Sequence, residues 1–183
     1  MYYIRRLSKE KNAFRLKDAA SAREIESDFL GQELRTSQNT LSVWRCNSLE
    51  TEDLDQTIKA ALFSSNGIIT TKLIVLCEDE IMAAGIQVND APGKTGYAGL
   101  ASLHSNFCNL TYERIGSFLD VSLGACKKSE RVLTVQKNAF QEMIVDAHKN
   151  GKLIFTEMPE HLAKEAKRLL ESRLGVDLDT EYS

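Results

Sequence analysis

Lys72-Leu73-Ile74-Val75-Leu76-Cys77 is the stretch whose reading decides the fold. The run is short and almost wholly apolar, with two adjacent β-branched members, which fits an interior strand covered on both faces. Glu78-Asp79-Glu80 then turns the chain, and Ile81 to Val88 is expected to return as the antiparallel partner. Helical and extended segments interleave around this pair. Together they predict an α+β (or mixed α/β) fold: a single domain over 1–183, with helices packed on a modest mixed sheet that contains a central antiparallel pair.

Toward the N-terminus, Thr40 to Cys46 alternates, with Leu41, Val43 and Arg45 on one side and Ser42, Trp44 and Cys46 on the other. That is the period of a strand. Between the two strands lies a helix that Thr51 can cap, with Glu52 and Asp53 near its positive end. Its buried stripe is Leu54, Ile58, Ala61 and Leu62, and Gly67 lies past its end. Ala19 to Leu30 reads as a short helix on Ala22, Ile25 and Phe29, stopped by Gly31 and followed by a polar turn from Arg35 to Asn39. The segment 1–17 is basic, setting Arg5, Arg6, Lys9, Lys11, Arg15 and Lys17 against Glu10. Tyr2 and Ile4 there fit an edge strand whose charges discourage further pairing.

Toward the C-terminus, residues 89–99 form a loop, and 100–107 fits a strand or a helix equally well. Thr111 to Cys126 is helical in pattern, with Ile115, Phe118, Leu119 and Ser122 on one face. Val132 to Val135 reads as a strand. Asn138 and Gln141 have capping-box spacing ahead of Phe140, Met143, Ile144 and Ala147, a stripe that ends before Gly151. Leu153 to Phe155 reads as another short strand. Pro159 opens a last helix on Leu162, Ala166, Leu169, Leu170 and Leu174, stopped by Gly175. The acidic tail, 176–183, is expected to fray.

The bulk composition excludes several classes. Hydrophobic residues make up 43% and charged residues 27%, and only two prolines and ten glycines occur, so no low-complexity or disordered bias is present. A net charge of −3 and a pI near 5.7 argue against a domain that lives on phosphate backbones. Cys46, Cys77, Cys108 and Cys126 form no Cys-x-x-Cys pair, and no histidine lies at zinc-finger spacing from them. The start has no apolar signal core, and no stretch approaches eighteen apolar residues. These features predict a cytoplasmic protein with reduced thiols and no membrane partner.

Gly93-Lys94-Thr95 matches the end of a phosphate-binding loop, but the motif fails. Val88 stands where the leading glycine is required, while Pro92, Gly96 and Gly99 oppose a helix start. Lys94 is therefore expected not to bind phosphate. His104 and Cys108 are four apart and would share a face if helical, as a thiolate nucleophile and its base would need; the alternative is a small buried thiol beside an ordinary polar contact. His104, His148 and His161 have no metal-ligand spacing, and neither metal nor cofactor is expected. Trp44, Arg35 and Arg45 are of types that anchor interfaces, against which stands a core tryptophan and an arginine paired with a nearby carboxylate.

The charge map has more shape than its sum. Glu50, Glu52, Asp53 and Asp55 form one acidic cluster and Glu78, Asp79 and Glu80 another, and both are candidates for meeting a basic partner. With no catalytic constellation in view, the function expected is protein binding, as in an immunity protein, an antitoxin or a subunit of a bacterial defence assembly. The alternatives are a small enzyme using His104 with Cys108 or the 89–99 loop, and nucleic-acid binding through 1–17 with Lys127, Lys128 and Arg131.

Overall fold

The computed structural model describes residues 1–7, 16, 18–25, 34 and 39–175, in which six strands form one sheet. The strands are β1 (Tyr2–Arg6), β2 (Leu41–Cys46), β3 (Thr71–Cys77), β4 (Gln87–Asp90), β5 (His104–Cys108) and β6 (Val132–Val135). Their order is β4-β5-β2-β1-β3-β6, and every pairing is antiparallel. Five α-helices lying wholly within the described residues accompany them: α1 (Thr51–Phe63), α2 (Glu78–Ala83), α3 (Tyr112–Cys126), α4 (Lys137–Lys149) and α5 (Glu160–Leu174). The fold is α+β, with an antiparallel rather than a mixed sheet.

The strand 71–77 is interior, as its apolar run requires, but its partners are β1 and β6. The expected pairing of 72–77 with 81–88 does not form. Residues 78–83 are helix instead, because Glu78-Asp79-Glu80 are good residues for a positive helix start and Met and Ala favour its continuation. Gly85, at φ 70°, then redirects the chain so that Ile86 is buried and β4 joins the far edge of the sheet. Nor is β1 an edge strand. It lies between β2 and β3, with Tyr3 and Ile4 buried on opposite faces, and Arg5 Nη1 donates to the Ser42 carbonyl at 3.1 Å.

Both faces of the sheet are covered, which explains why β2 and β3 look apolar on both sides. One face carries Ile4, Trp44, Cys46 and Leu73 beneath α1, α4 and α5, which contribute Phe63, Phe140, Leu162 and Leu170. The other carries Tyr3, Leu41, Val43, Leu76 and Phe107 beneath Ile81 of α2 and Phe118 and Leu119 of α3. Trp44 is core. The stripes of α3, α4 and α5 face these layers as their spacing predicts, and α5 ends at Gly175 in the left-handed conformation (φ 68°).

Helix starts differ in detail. Glu50, not Thr51, is the N-cap of α1, and Ser48 Oγ accepts the Glu50 amide at 2.9 Å. The N-cap of α4 is Gln136, so Asn138 and Gln141 lie inside the helix and make no capping box. The segment 100–107 resolves into a 3-10 turn, Ala101–Leu103, leading into β5. Leu153–Phe155 is not a strand. It makes one bridge, Tyr97 to Leu153, with hydrogen bonds from Ala98 to Lys152 and from Ile154 to Gly96, before a 3-10 turn at Phe155–Glu157. Of the helix read over 19–30, the described part is a 3-10 turn at Ala22–Glu24. The rest, with most of the basic segment, Arg35 and the tail, lies outside the described residues.

Candidate functional site

The register of three strands builds the site. Tyr2 is paired with Cys46 of β2 and with Cys77 of β3, so both neighbouring strands end where β1 begins. The acidic runs that follow them, Glu50–Asp55 and Glu78–Glu80, are therefore delivered to one end of the sheet. They lie on opposite faces of it, one opening α1 and the other opening α2. The pairings Trp44 with His104 and Ser105 with Asp90 bring the start of β5 and the end of β4 to the same end.

On the face under α2, this end carries a polar row made of Tyr3, Arg45, Ser105 and Asp90. Alternation along the strands puts all four on one side. Arg45 Nη1 forms an ion pair with Asp90 Oδ2, and Ser105 Oγ donates to Asp90 Oδ1 at 2.7 Å. The Ser105 hydroxyl and, behind it, the Arg45 guanidinium hold the Asp90 carboxyl below the usual carboxylate range, against a smaller opposing effect of burial. Tyr3 donates to Glu78 Oε1 at 3.3 Å. Its phenol is pushed up to about 12, first by burial and then by the charge of Glu78 and its hydrogen bond to it, with Asp90 adding to the effect and Arg45 opposing it. Beside this row opens a cleft of about 650 Å³ between α2 and β4, lined by Tyr3, Glu78, Met82, Ile86, Val88 and Asp90 among others.

The acidic positions divide into two groups. Asp55 pairs with Lys59 at 2.6 Å, and Glu80 takes Arg131 at 2.5 Å and Lys128 at 3.4 Å. Burial raises the Glu80 carboxyl, but these two cations overcome it and leave the group below its ordinary range. Glu78 holds the Tyr3 hydroxyl and lies 3.9 Å from the Met1 amino group. The carboxylates of Glu50, Glu52, Asp53 and Asp79 have no ion pair or side-chain hydrogen bond among the described residues. Three exposed hydrophobic side chains, Met1, Leu49 and Met82, stand at the same end.

Arg45 is not a free anchor, since Asp90 and the Ser102 carbonyl hold it. Arg35 lies outside the described residues. Lys128 and Arg131 are engaged by Glu80, which removes two cations from the basic set considered for nucleic acid.

The thiol–imidazole pair does not assemble. His104 and Cys108 sit at opposite ends of β5, with Cα atoms about 13 Å apart at the rise of a strand, so they share no helix face. His104 Nδ1 lies 2.6 Å from the Ala91 carbonyl, and its ring meets Trp44 edge to face at 5.1 Å. Cys108 points its sulfur at the Asn106 carbonyl. All four cysteines are free thiols. Burial pushes the Cys46 thiol up, away from the thiolate that reactivity requires.

The 89–99 loop spends its polar groups on the protein itself. The Gly93 amide bonds to the Ala101 carbonyl and the Gly96 amide to Phe63, while the buried Thr95 hydroxyl donates to Ala60 at 3.1 Å. Lys94 points into solvent. Among the described residues no group of three or more His, Cys, Asp or Glu is placed to hold a metal ion. His148 lies on α4, and His161 stands 3.8 Å from Glu165 on α5. No described helix is long and apolar enough to cross a membrane.

Sequence reasoning named Glu78 and Arg45 but missed Tyr3, Ser105 and Asp90. Asp90 reads as the head of a turn, and nothing local marks Tyr3. Only the strand register joins them. No protein-family model, curated protein or solved structure matches the chain.

Proposed function

We propose that this chain is a protein-binding domain that meets a basic surface of its partner with the end of the sheet where β2 and β3 stop. The observation behind the reading is the convergence of two acidic runs on that end. Four of their carboxylates (Glu50, Glu52, Asp53 and Asp79) lack a counter-ion among the described residues. The same molecule pairs Asp55 and Glu80 with its own cations, whereas these four carry no paired cation among the described residues. Glu52, Asp53 and Asp79 are favoured by the helix starts they occupy and still give this end a negative charge that a basic partner can meet. Met1, Leu49 and Met82 among them supply the apolar contacts that a charged rim surrounds in protein interfaces. In concrete form, the protein is an immunity protein, an antitoxin or a subunit of a bacterial defence assembly that works in the cytoplasm and covers a basic functional surface of its partner.

The test is affinity capture from cells of the source organism, with wild type and a Glu52→Lys/Asp53→Lys/Asp79→Lys variant as baits, both shown to be folded by circular dichroism. The expected result is one protein retained in stoichiometric amount by the wild type and lost by the variant, with an association rate that falls as salt rises. Retention that ignores the charge reversal would sink the reading.

A further inference from the structure

The cleft between α2 and β4 has two characters. Met82, Ile86 and Val88 give it apolar walls over the ring of Tyr3, and Gly85 leaves part of the rim without a side chain. Glu78 and Asp90 stand on its lining with capacity to spare. A carboxylate offers about four acceptor sites. Asp90 uses one on each oxygen, for Ser105 and Arg45, and its side chain is 59% exposed. Glu78 gives Oε1 to Tyr3, and its Oε2 faces the Met1 amino group, also on the lining, at 3.9 Å, beyond hydrogen-bond distance, so its acceptor sites stay open. The site therefore matches a group with a long aliphatic stem and a cationic, donor-only head.

We propose that this cleft receives an arginine or lysine side chain presented by the partner polypeptide. The stem lies between Met82 and Val88, and the head donates to Glu78 and Asp90. The field at the floor has the required sign, since the Tyr3 phenol responds more to the carboxylates of Glu78 and Asp90 than to Arg45. Arg45 does not fill the place itself, because Asp90 and the Ser102 carbonyl hold its guanidinium to one side. The proposal rests on the protein-binding reading and adds to it the chemistry of the anchor.

The experiment titrates the full, isotope-labelled chain with acetyl-Ala-Arg-Ala-amide, followed by amide NMR shifts, beside the same peptide carrying citrulline, the neutral isostere. Saturable shifts centred on Tyr3, Met82, Gly85, Val88 and Asp90 are expected with arginine and not with citrulline. Glu78→Gln is expected to weaken binding about five-fold or more, as loss of a charged acceptor does. Gln87→Lys, an exposed change on the edge strand that sets a cation at the cleft, should do the same without touching the Tyr3 contact. Equal shifts with citrulline, shifts elsewhere, or insensitivity to Gln87→Lys would overturn the proposal. Capture of the partner by the acidic end is scored separately through Asp53 and Asp79. A failed cleft with intact, charge-dependent capture therefore removes the anchor and leaves the protein-binding reading standing.

Discussion

Gly93 lies flat against His104: a β-carbon at residue 93 would stand 2.5 Å from His104 Cγ and 2.8 Å from its Cβ. The glycine of Gly93-Lys94-Thr95 is there so that the backbone can pass over an imidazole that is itself fixed by the Ala91 carbonyl and by Trp44. Packing, not phosphate, accounts for it.

Gly93→Ala should accordingly destabilise the protein by about 1–3 kcal/mol, the range for overpacking. Paired with His104→Ala the cost should fall well below the sum of the two single changes, by about 1 kcal/mol or more, because the second truncation opens the space the first one needs. Urea unfolding of the four proteins in the cycle measures this. Strict additivity would show that the ring is not what excludes the methyl group.

For the same reason Lys94 should be silent toward nucleotides. Calorimetry with ATP or GTP is expected to detect no binding that Lys94→Ala removes, since the neighbouring amides are already spent on Ala101 and Phe63. Micromolar, Lys94-dependent heat would contradict this.

Helix α5 separates two leucines that its sequence makes look alike. Leu170 is fully buried, whereas Leu169 only flanks the core. Leu170→Ala should cost about 2–5 kcal/mol and Leu169→Ala markedly less, by the usual dependence of truncation cost on burial. Chemical denaturation should rank them in that order, and the reverse order would mean that the helix sits rotated on its face.

Tyr3 should make the fold sensitive to alkali. Its phenol ionises at about 12 in the folded protein against 10.0 for the unperturbed group. A folded pKa raised in this way contributes stability that is fully present below about 10 and is lost as pH rises toward 12. The slope of stability against pH in that window should be shallower in Tyr3→Phe than in wild type. Identical slopes would place the phenol in water.

What was legible in the sequence follows from what is local. The stripe of α5, the alternation of β2 and the apolar run of β3 are properties of neighbouring residues, so periodicity finds them. The place of β1 is not local. Arg5 and Arg6 make it look like a guarded edge, and only partners some forty and seventy positions away turn it into an interior strand. Residues 81–88 read as a strand from sequence because Ile81 and Ile86 suit a buried strand as well as a short helix followed by a turn. The candidate site behaves likewise. Its carboxylates were visible as charges, but their meeting at one end, and the joining of Tyr3, Arg45, Ser105 and Asp90 into a row, come from register alone.

The central position of β1 has a consequence for how the chain is assembled. Residues 2–6 hold together two blocks, β4-β5-β2 and β3-β6, that share no strand pairing without them. Those residues are synthesised before either block exists, so the sheet cannot close until β3 has emerged, and contacts of such long sequence separation slow folding. Cut after residue 7, the protein becomes a two-piece lock: a heptapeptide key and a body with an open slot between β2 and β3, whose reunion from separate molecules would report, strand by strand, on the whole fold.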